Sequence, residues 1–309
     1  MQQEKRTYEK LALSYEQQAD RLLDRGLCAD RSELLHRLQQ VSYYRLSGYM
    51  HPYRERNEEN EVLDRFRDGT TLEDVWARYC FDRRLRVLML DAIERIEVAI
   101  RTKLVYAHAH EHGPFGYTHH ESIPKLNQGD YLNWRLSLQE ETSRSKESFK
   151  KHFFDKYDHK ALPIWMLAEL MSMGSTLTLF KGVEPSLKQK TAADYGLVDA
   201  VLWNWLTCLN AARNICAHHS RFWNITLGYK PLFPKPKKYP EWHGKNKLPN
   251  DRSGSLIFIC RYLLDKISPS SQWHRRVENL FQEYPSIPPE ALGLPENWQT
   301  HPIWNPPAT

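Results

Sequence analysis

The sequence predicts an all-α protein: a helical bundle with additional helices at its N- and C-terminal ends. Apolar residues recur at three- and four-residue spacing over long stretches, most strongly from Leu72 to about His108. Glycine is scarce, 13 residues in 309, and runs of β-branched residues are absent, so little of the chain has strand character. Capping and stopping residues stand where several of the periodic stretches begin and end.

Taken in order, Tyr8 to Arg25 reads as a helix with Gly26 as its stop, and Asp30 or Ser32 caps a second helix that runs to about Val41. Tyr43–Tyr49 reads as a compact aromatic turn used for core or interface packing, and residues 54–61 as a charged surface loop. Leu72, Val75, Trp76, Tyr79, Leu85, Leu88, Met89, Ile93, Ile96, Ile100 and Leu104 mark one long amphipathic helix or two nearly coaxial ones. Glu97 and Arg101 stand four apart on it, in the favourable order for an ion pair. Gly113, Pro114, Gly116, Pro124 and Gly129 make residues 113–129 a loop. Helices are expected at Tyr131–Glu141, from Pro163 to about Met171, at Pro185–Tyr195 and at Val198–Ala217. Pro231, Pro234, Pro236, Pro240 and Pro249 exclude helix from most of 230–252. Ser255–Ile267 and Gln272–Tyr284 follow as C-terminal helices, with a proline-rich tail from Pro285. The organisation is therefore an N-terminal helical region (1–60), a central bundle (61–229), a basic Pro-rich loop (230–252) and C-terminal helices with a tail (253–309).

Composition narrows the function classes. A formal charge of +5 permits a polyanionic partner without requiring one. The cysteines are Cys28, Cys80, Cys208, Cys216 and Cys260; their odd number and the lack of any C-x-x-C pair argue against a disulfide framework or a zinc knuckle and fit a reducing cytosol. No apolar signal core follows Met1, and the longest apolar stretches, Leu162–Met173 and Leu256–Cys260, are too short for a bilayer. The expectation is a soluble cytoplasmic protein with no membrane partner.

The chemistry concentrates in Arg213-Asn214-Ile215-Cys216-Ala217-His218. On a helix, Leu202, Leu206, Leu209 and Cys216 share a stripe into which Arg213 falls. A buried guanidinium must be paired, so Arg213 is expected to meet a carboxylate, reach a wet cleft or lie at a subunit interface, with Glu94 and Glu97 the first partners to test. Asn214 and His218 are four apart on one face, so the amide can orient the imidazole, and a helix end just past His218 favours an imidazolium. Arg213 and His218 lie about 140° apart around the axis, so two copies across a two-fold axis converge on one phosphate more easily than one copy does. Such a set can grip a phosphate and move a proton with neither metal nor cofactor, and RNA carries its own nucleophile in the 2′-hydroxyl. Arg213 as a structural ion pair and His218 as a partner of the helix dipole is the competing reading.

Around this centre, His219 and Arg221 read as supporting or merely solvent-facing groups. The basic residues Lys230, Lys235, Lys237, Lys238, Lys245 and Lys247 face only Glu241 and Asp251 in their segment, which suggests an RNA-contacting arm with Phe233, Tyr239 and Trp242 for stacking, or else a solvated loop. His108 and His112 have helical ligand spacing, but no H-E-x-x-H occurs and no metal site is assigned. Cys216 reads as a small buried filler.

The segment Ala212-Arg213-Asn214-Ile215-Cys216-Ala217-His218-His219-Ser220-Arg221-Phe222-Trp223-Asn224 closely resembles the signature of the Abi-like abortive-infection proteins of bacteria, the AbiD/AbiF group. Tyr43-Tyr44-Arg45-Leu46-Ser47-Gly48-Tyr49 is similar to that family's N-terminal motif. Phe81-Asp82-Arg83-Arg84-Leu85-Arg86 with Ile93–Glu97 and Arg101 is similar to its central helix, and Leu162-Pro163-Ile164-Trp165 with Glu169 and Gly174 to a third block. The resemblance implies the HEPN superfamily of α-helical proteins, whose pattern of Arg, a polar residue and a later His maps onto Arg213, Asn214 and His218. It also implies a metal-independent endoribonuclease toxin, active as a homodimer in phage defence and paired with a small regulatory or antitoxin RNA. A non-catalytic RNA-binding module of a ribonucleoprotein complex, and a protein–protein scaffold, are the readings from other classes.

Overall fold

The computed structural model describes residues 11–244 and 247–306, so Tyr8–Lys10 of the first expected helix and Lys245 lie outside the described residues. Among the described residues there are twelve α-helices and one two-stranded sheet, which makes the fold all-α as expected. The chain divides into two compact units between Arg83 and Arg84.

The first unit holds α1 (Tyr15–Asp24), α2 (Arg31–Val41), α3 (Tyr43–Met50), the strands β1 (Arg54–Arg56) and β2 (Val62–Phe66), and the beginning of α4 (Leu72–His112). Ser14 and Gln17 form a reciprocal capping box on α1, Asp30 caps α2 by accepting from Glu33 N, and Thr71 and Asp74 cap each other's backbone at the start of α4. Two expectations change here. Tyr43–Tyr49 is a helix, not a turn: Ser42 at φ 40° both ends α2 and caps α3, so the chain re-enters a helix without a loop. The charged stretch 54–61 belongs to an antiparallel hairpin that pairs Arg54 with Phe66 and Arg56 with Val62, turning through Asn60 at φ 64°. Arg54 binds Asp64 across the two strands, and Arg25 at the end of α1 binds the same carboxylate. Tyr49 buries its hydroxyl and donates it to Asp82 Oδ2 at 2.6 Å.

The second unit contains the rest of α4, then α5 (Gln128–Arg144), α6 (Ser148–Lys156), α7 (Ile164–Leu167), α8 (Met173–Gly182), α9 (Pro185–Ala193), α10 (Asp199–Ala217), α11 (Ser253–Ile267) and α12 (Trp273–Glu283). α10 is its central element. It packs against α8, α9 and α11 and buries Leu202, Trp205, Leu206, Leu209, Ala212 and Cys216. α12 runs antiparallel to α4, tied by Arg84–Glu283 at 2.5 Å, Arg276–Asp91 at 2.9 Å and the bond from Arg95 to Ser271 at 2.9 Å. Residues 113–127 form a loop with short 3-10 turns, and it ends two residues before the expected Gly129 because Asn127 caps α5.

The proline-rich tail is not peripheral. Leu294, Trp298 and Trp304 are buried to within 1% of full burial, and Trp304 packs tilted against Phe258 and Trp273 and edge-to-face with Trp298. The prolines stop regular helix, but they do not stop burial, because the tryptophans between them supply the apolar surface. Gly254 of α11 lets this tail approach closely: a Cβ there would meet Leu292 O at 2.6 Å.

Candidate functional site

α10 ends where the sequence placed its end. Ala217 is the last helical residue and His218 is the C-cap, its N–H bonded to Asn214 O at 3.0 Å. His219 follows at φ 59°, a left-handed conformation usually taken by glycine. His219 N bonds to Cys216 O at 3.1 Å and Ser220 N to Ile215 O at 2.9 Å, the paired bonds of a Schellman closure. The turn carries the chain straight into buried Phe222 and Trp223, which anchor it.

Arg213, Asn214, His218 and His219 are all exposed, and Arg221 is half-buried. Of the environments expected for Arg213, the structure gives it open solvent and not a buried carboxylate partner. Helix geometry puts Arg213 about 40° from Leu209 and about 60° from Cys216, beside the buried line, yet its side chain is exposed in the last turn of α10. Arg213 forms no ion pair among the described residues; its Nη1 donates to Asn214 Oδ1 at 3.3 Å. The Asn214 amide is thereby turned toward the guanidinium. The set thus presents a guanidinium, an amide and an imidazole on one helix end, all reachable by a solvent-borne ligand.

Glu97 and Arg101 form the expected ion pair at 3.1 Å, both largely shielded, and Arg101 also donates to Met171 O at 3.0 Å. Burial raises the Glu97 carboxyl above its ordinary range, against the pull of Arg101 and then Arg213. Arg213 therefore acts on Glu97 through its field and not through a direct bond. Glu94 is exposed and enters only as a like charge that raises Glu97 further.

Sequence reasoning missed the residue that fixes the turn. Arg86, 5% exposed, donates from Nη1 to His219 O at 2.6 Å and to Ser220 O at 3.0 Å. Carbonyls at a helix C-terminus are short of donors, and a guanidinium supplies both hydrogen bonds and favourable charge there. Arg86 is the last residue of the Phe81–Arg86 block, so that block now has a physical role: one of its members braces the other motif's turn.

The 230–252 segment is anchored on the same helix. Asn204 Oδ1 accepts from Leu232 N at 2.6 Å, Trp205 Nε1 donates to Leu232 O at 2.7 Å, and Thr226 pairs with Arg252 to close the loop. Trp242 is not available for stacking on a ligand: it is buried against Trp205, Phe233 and Tyr262. Lys230, Lys235, Lys237, Lys238 and Lys247 remain exposed on this anchored frame.

His108 is fully buried within α4, its Nε2 3.3 Å from Ser122 Oγ and its Nδ1 without a partner. Burial, and next the neighbouring His112, push it down to about 4, so it is neutral at physiological pH. Cys216 is buried, in line with its reading as a filler. Among the described residues no helix is long and apolar enough to cross a membrane.

These features define an all-α protein with an Arg-Asn…His set displayed at a braced helix terminus. The Abi-like protein family matches residues 36–224, a span that includes α3, α4 and the whole of α10 with its closing turn. The chain belongs to the Abi-like family, a membership that points to abortive infection, a form of phage defence. No curated protein and no solved structure matches it.

Proposed function

We propose that this protein is a metal-independent endoribonuclease toxin of the AbiD/AbiF group and the HEPN superfamily, acting as a homodimer in the cytoplasm and held in check by a small RNA. The single observation that carries this reading is the display of Arg213, Asn214 and His218 together, exposed, on a helix end that Arg86 and the His219 turn hold rigid. Rigid presentation is what a positioned acid–base group requires.

In the proposed reaction, His218 of one protomer takes the proton of a ribose 2′-hydroxyl. The freed oxygen attacks the adjacent phosphorus, and the bond from phosphorus to the 5′-oxygen breaks. His218 of the second protomer, protonated, gives its proton to that leaving oxygen. Arg213 holds the non-bridging oxygens as negative charge builds, and Asn214 positions the phosphate or the base. The products are a 2′,3′-cyclic phosphate and a 5′-hydroxyl. Supporting roles fall to His219, through the turn it forms, and to Arg221, Glu94 and Glu97 around it.

The test is cleavage by His218→Ala. The exposed side chain can be removed without disturbing the fold, so cleavage should vanish while RNA binding and melting behaviour persist. Full cleavage by folded His218→Ala would overturn the mechanism, and loss of wild-type cleavage in excess chelator would point to a metal nuclease. Binding with no cleavage by the wild-type protein would favour a ribonucleoprotein module.

A further inference from the structure

The second unit has a cavity of about 530 Å³ beside the Glu97–Arg101 pair, lined by Arg101, Thr102, Tyr106, His110, Trp165 and Glu169 among others. Of the ten tryptophans in the chain, Trp165 alone is exposed, at 51%, and Tyr106 is 64% exposed. These two rings come from different helices, α4 and α7, into one cavity. Tyr106 is itself held by the His110 ring, with centroids 4.0 Å apart. Large flat apolar surface left open to water at a cavity, with hydrogen-bonding groups of both signs beside it, suits a flat ligand that has π faces and a polar edge.

We propose that this cavity is a base-binding subsite for the RNA substrate, taking one unpaired nucleobase between Trp165 and Tyr106 while Arg101 and Glu169 meet its edge; this rests on the ribonuclease reading above. Arg101 at the cavity wall pairs with Glu97 at 3.1 Å. The base lends a face to stack on, and its edge carries both donors and acceptors, which matches an arginine and a carboxylate in one pocket. Three residues of the subsite, Arg101, Trp165 and Glu169, fall in sequence blocks whose role the acid–base chemistry does not use.

The test uses the full chain in the His218→Ala background, so that bound RNA is not cut, and a fluorescein-labelled single-stranded RNA followed by anisotropy. Adding Trp165→Ala should weaken binding about tenfold, the value of one lost base–aromatic stack, whereas Trp165→Phe should keep most of the affinity. An RNA with abasic positions should bind less well than its normal counterpart to the His218→Ala protein, and that difference should shrink in Trp165→Ala. Equal binding by His218→Ala and by its Trp165→Ala derivative would overturn the subsite and leave the ribonuclease reading standing. A change in sedimentation with no change in RNA affinity would overturn it in favour of a contact between copies of the chain. Failure of the His218→Ala protein to bind RNA at all would overturn both.

Discussion

The Arg86 guanidinium donates to the carbonyl oxygen of His219 at 2.6 Å, across 133 residues of sequence, and so ties α4 to the turn that closes α10. The same nitrogen reaches Ser220 O at 3.0 Å. Arg86→Ala would leave two carbonyls short of a donor at the point where the Schellman turn must hold its shape. The expected cost is about 1–3 kcal/mol in thermal or denaturant unfolding, together with a loss of RNA cleavage although His218 is untouched. Arg86→Lys, a point charge with a different reach, should recover only part of both. Unchanged melting and unchanged cleavage in Arg86→Ala would show that the brace is incidental.

The backbone of His219 makes a separate prediction. At φ 59° a side chain is strained and a β-branched one is strained most. His219→Gly should fold at least as well as the parent, whereas His219→Val should lose about 1–2 kcal/mol. Both variants remove the imidazole, so comparing their cleavage separates the turn from the ring. If His219→Gly cleaves RNA normally, the residue serves the turn; equal stability of the two variants would mean that the left-handed conformation is not retained.

The contrast between Arg86 and His218 shows what was legible in the sequence. Long helices with strong periodicity, α4 and α10, were readable because each buries one continuous face. Asp30 marks the start of α2, and Gly113, at φ 75°, marks the end of α4. α6 and α8 were missed: the first is 9 residues long with charges inside it, and the second carries Gly174, Ser175, Thr176 and Thr178, so both owe their helicity to packing and capping. α3 was misread because a helix that starts directly on the cap of the previous one leaves no loop to see. The candidate groups Arg213, Asn214 and His218 are visible as a local cluster, whereas Arg86 bonds to residues far along the chain, and spacing alone cannot reveal such a pair.

His108 predicts an acid-labile fold. Its ordinary value is 6.5 and the buried ring is pushed down to about 4, so between these limits the unfolded chain binds a proton that the native chain does not. Stability should therefore be complete above pH 6.5, fall as pH drops toward 4 and level off below, with about 3 kcal/mol lost to this one ring. His274 and His301, both lowered chiefly by burial, act in the same direction. Urea unfolding at a series of pH values checks this. His108→Leu should flatten the profile in that window, and a variant with the wild-type slope would remove His108 as its cause.

Burial of the tail predicts that it cannot be trimmed. Trp304 is 1% exposed, donates from Nε1 to Glu278 Oε1 at 2.7 Å, and accepts Arg261 Nε on its carbonyl at 3.1 Å. Trp304→Ala should cost about 3–5 kcal/mol, and a chain ending near Pro285 should unfold or aggregate. A truncated protein that melts with the same midpoint and cooperativity would contradict the packing described for Trp298 and Trp304.

The basic segment offers the most direct reading of partner chemistry. Lys235, Lys237 and Lys238 are exposed on a loop whose Leu232 is clamped by Asn204 and Trp205 of α10, so their charges are held near a fixed frame and not dispersed on a free chain. If they contact the phosphates of single-stranded RNA, each releases a fraction of a counterion on binding, and replacing all three by Gln should lower the slope of log affinity against log salt by about 2. Affinity should fall most at low salt and the two proteins should converge as salt rises, because screening removes the contribution of these lysines in both. The substitutions touch no buried group, so melting should not change. An unaltered salt slope in a folded triple variant would mean that the lysines face solvent and that RNA enters by another surface.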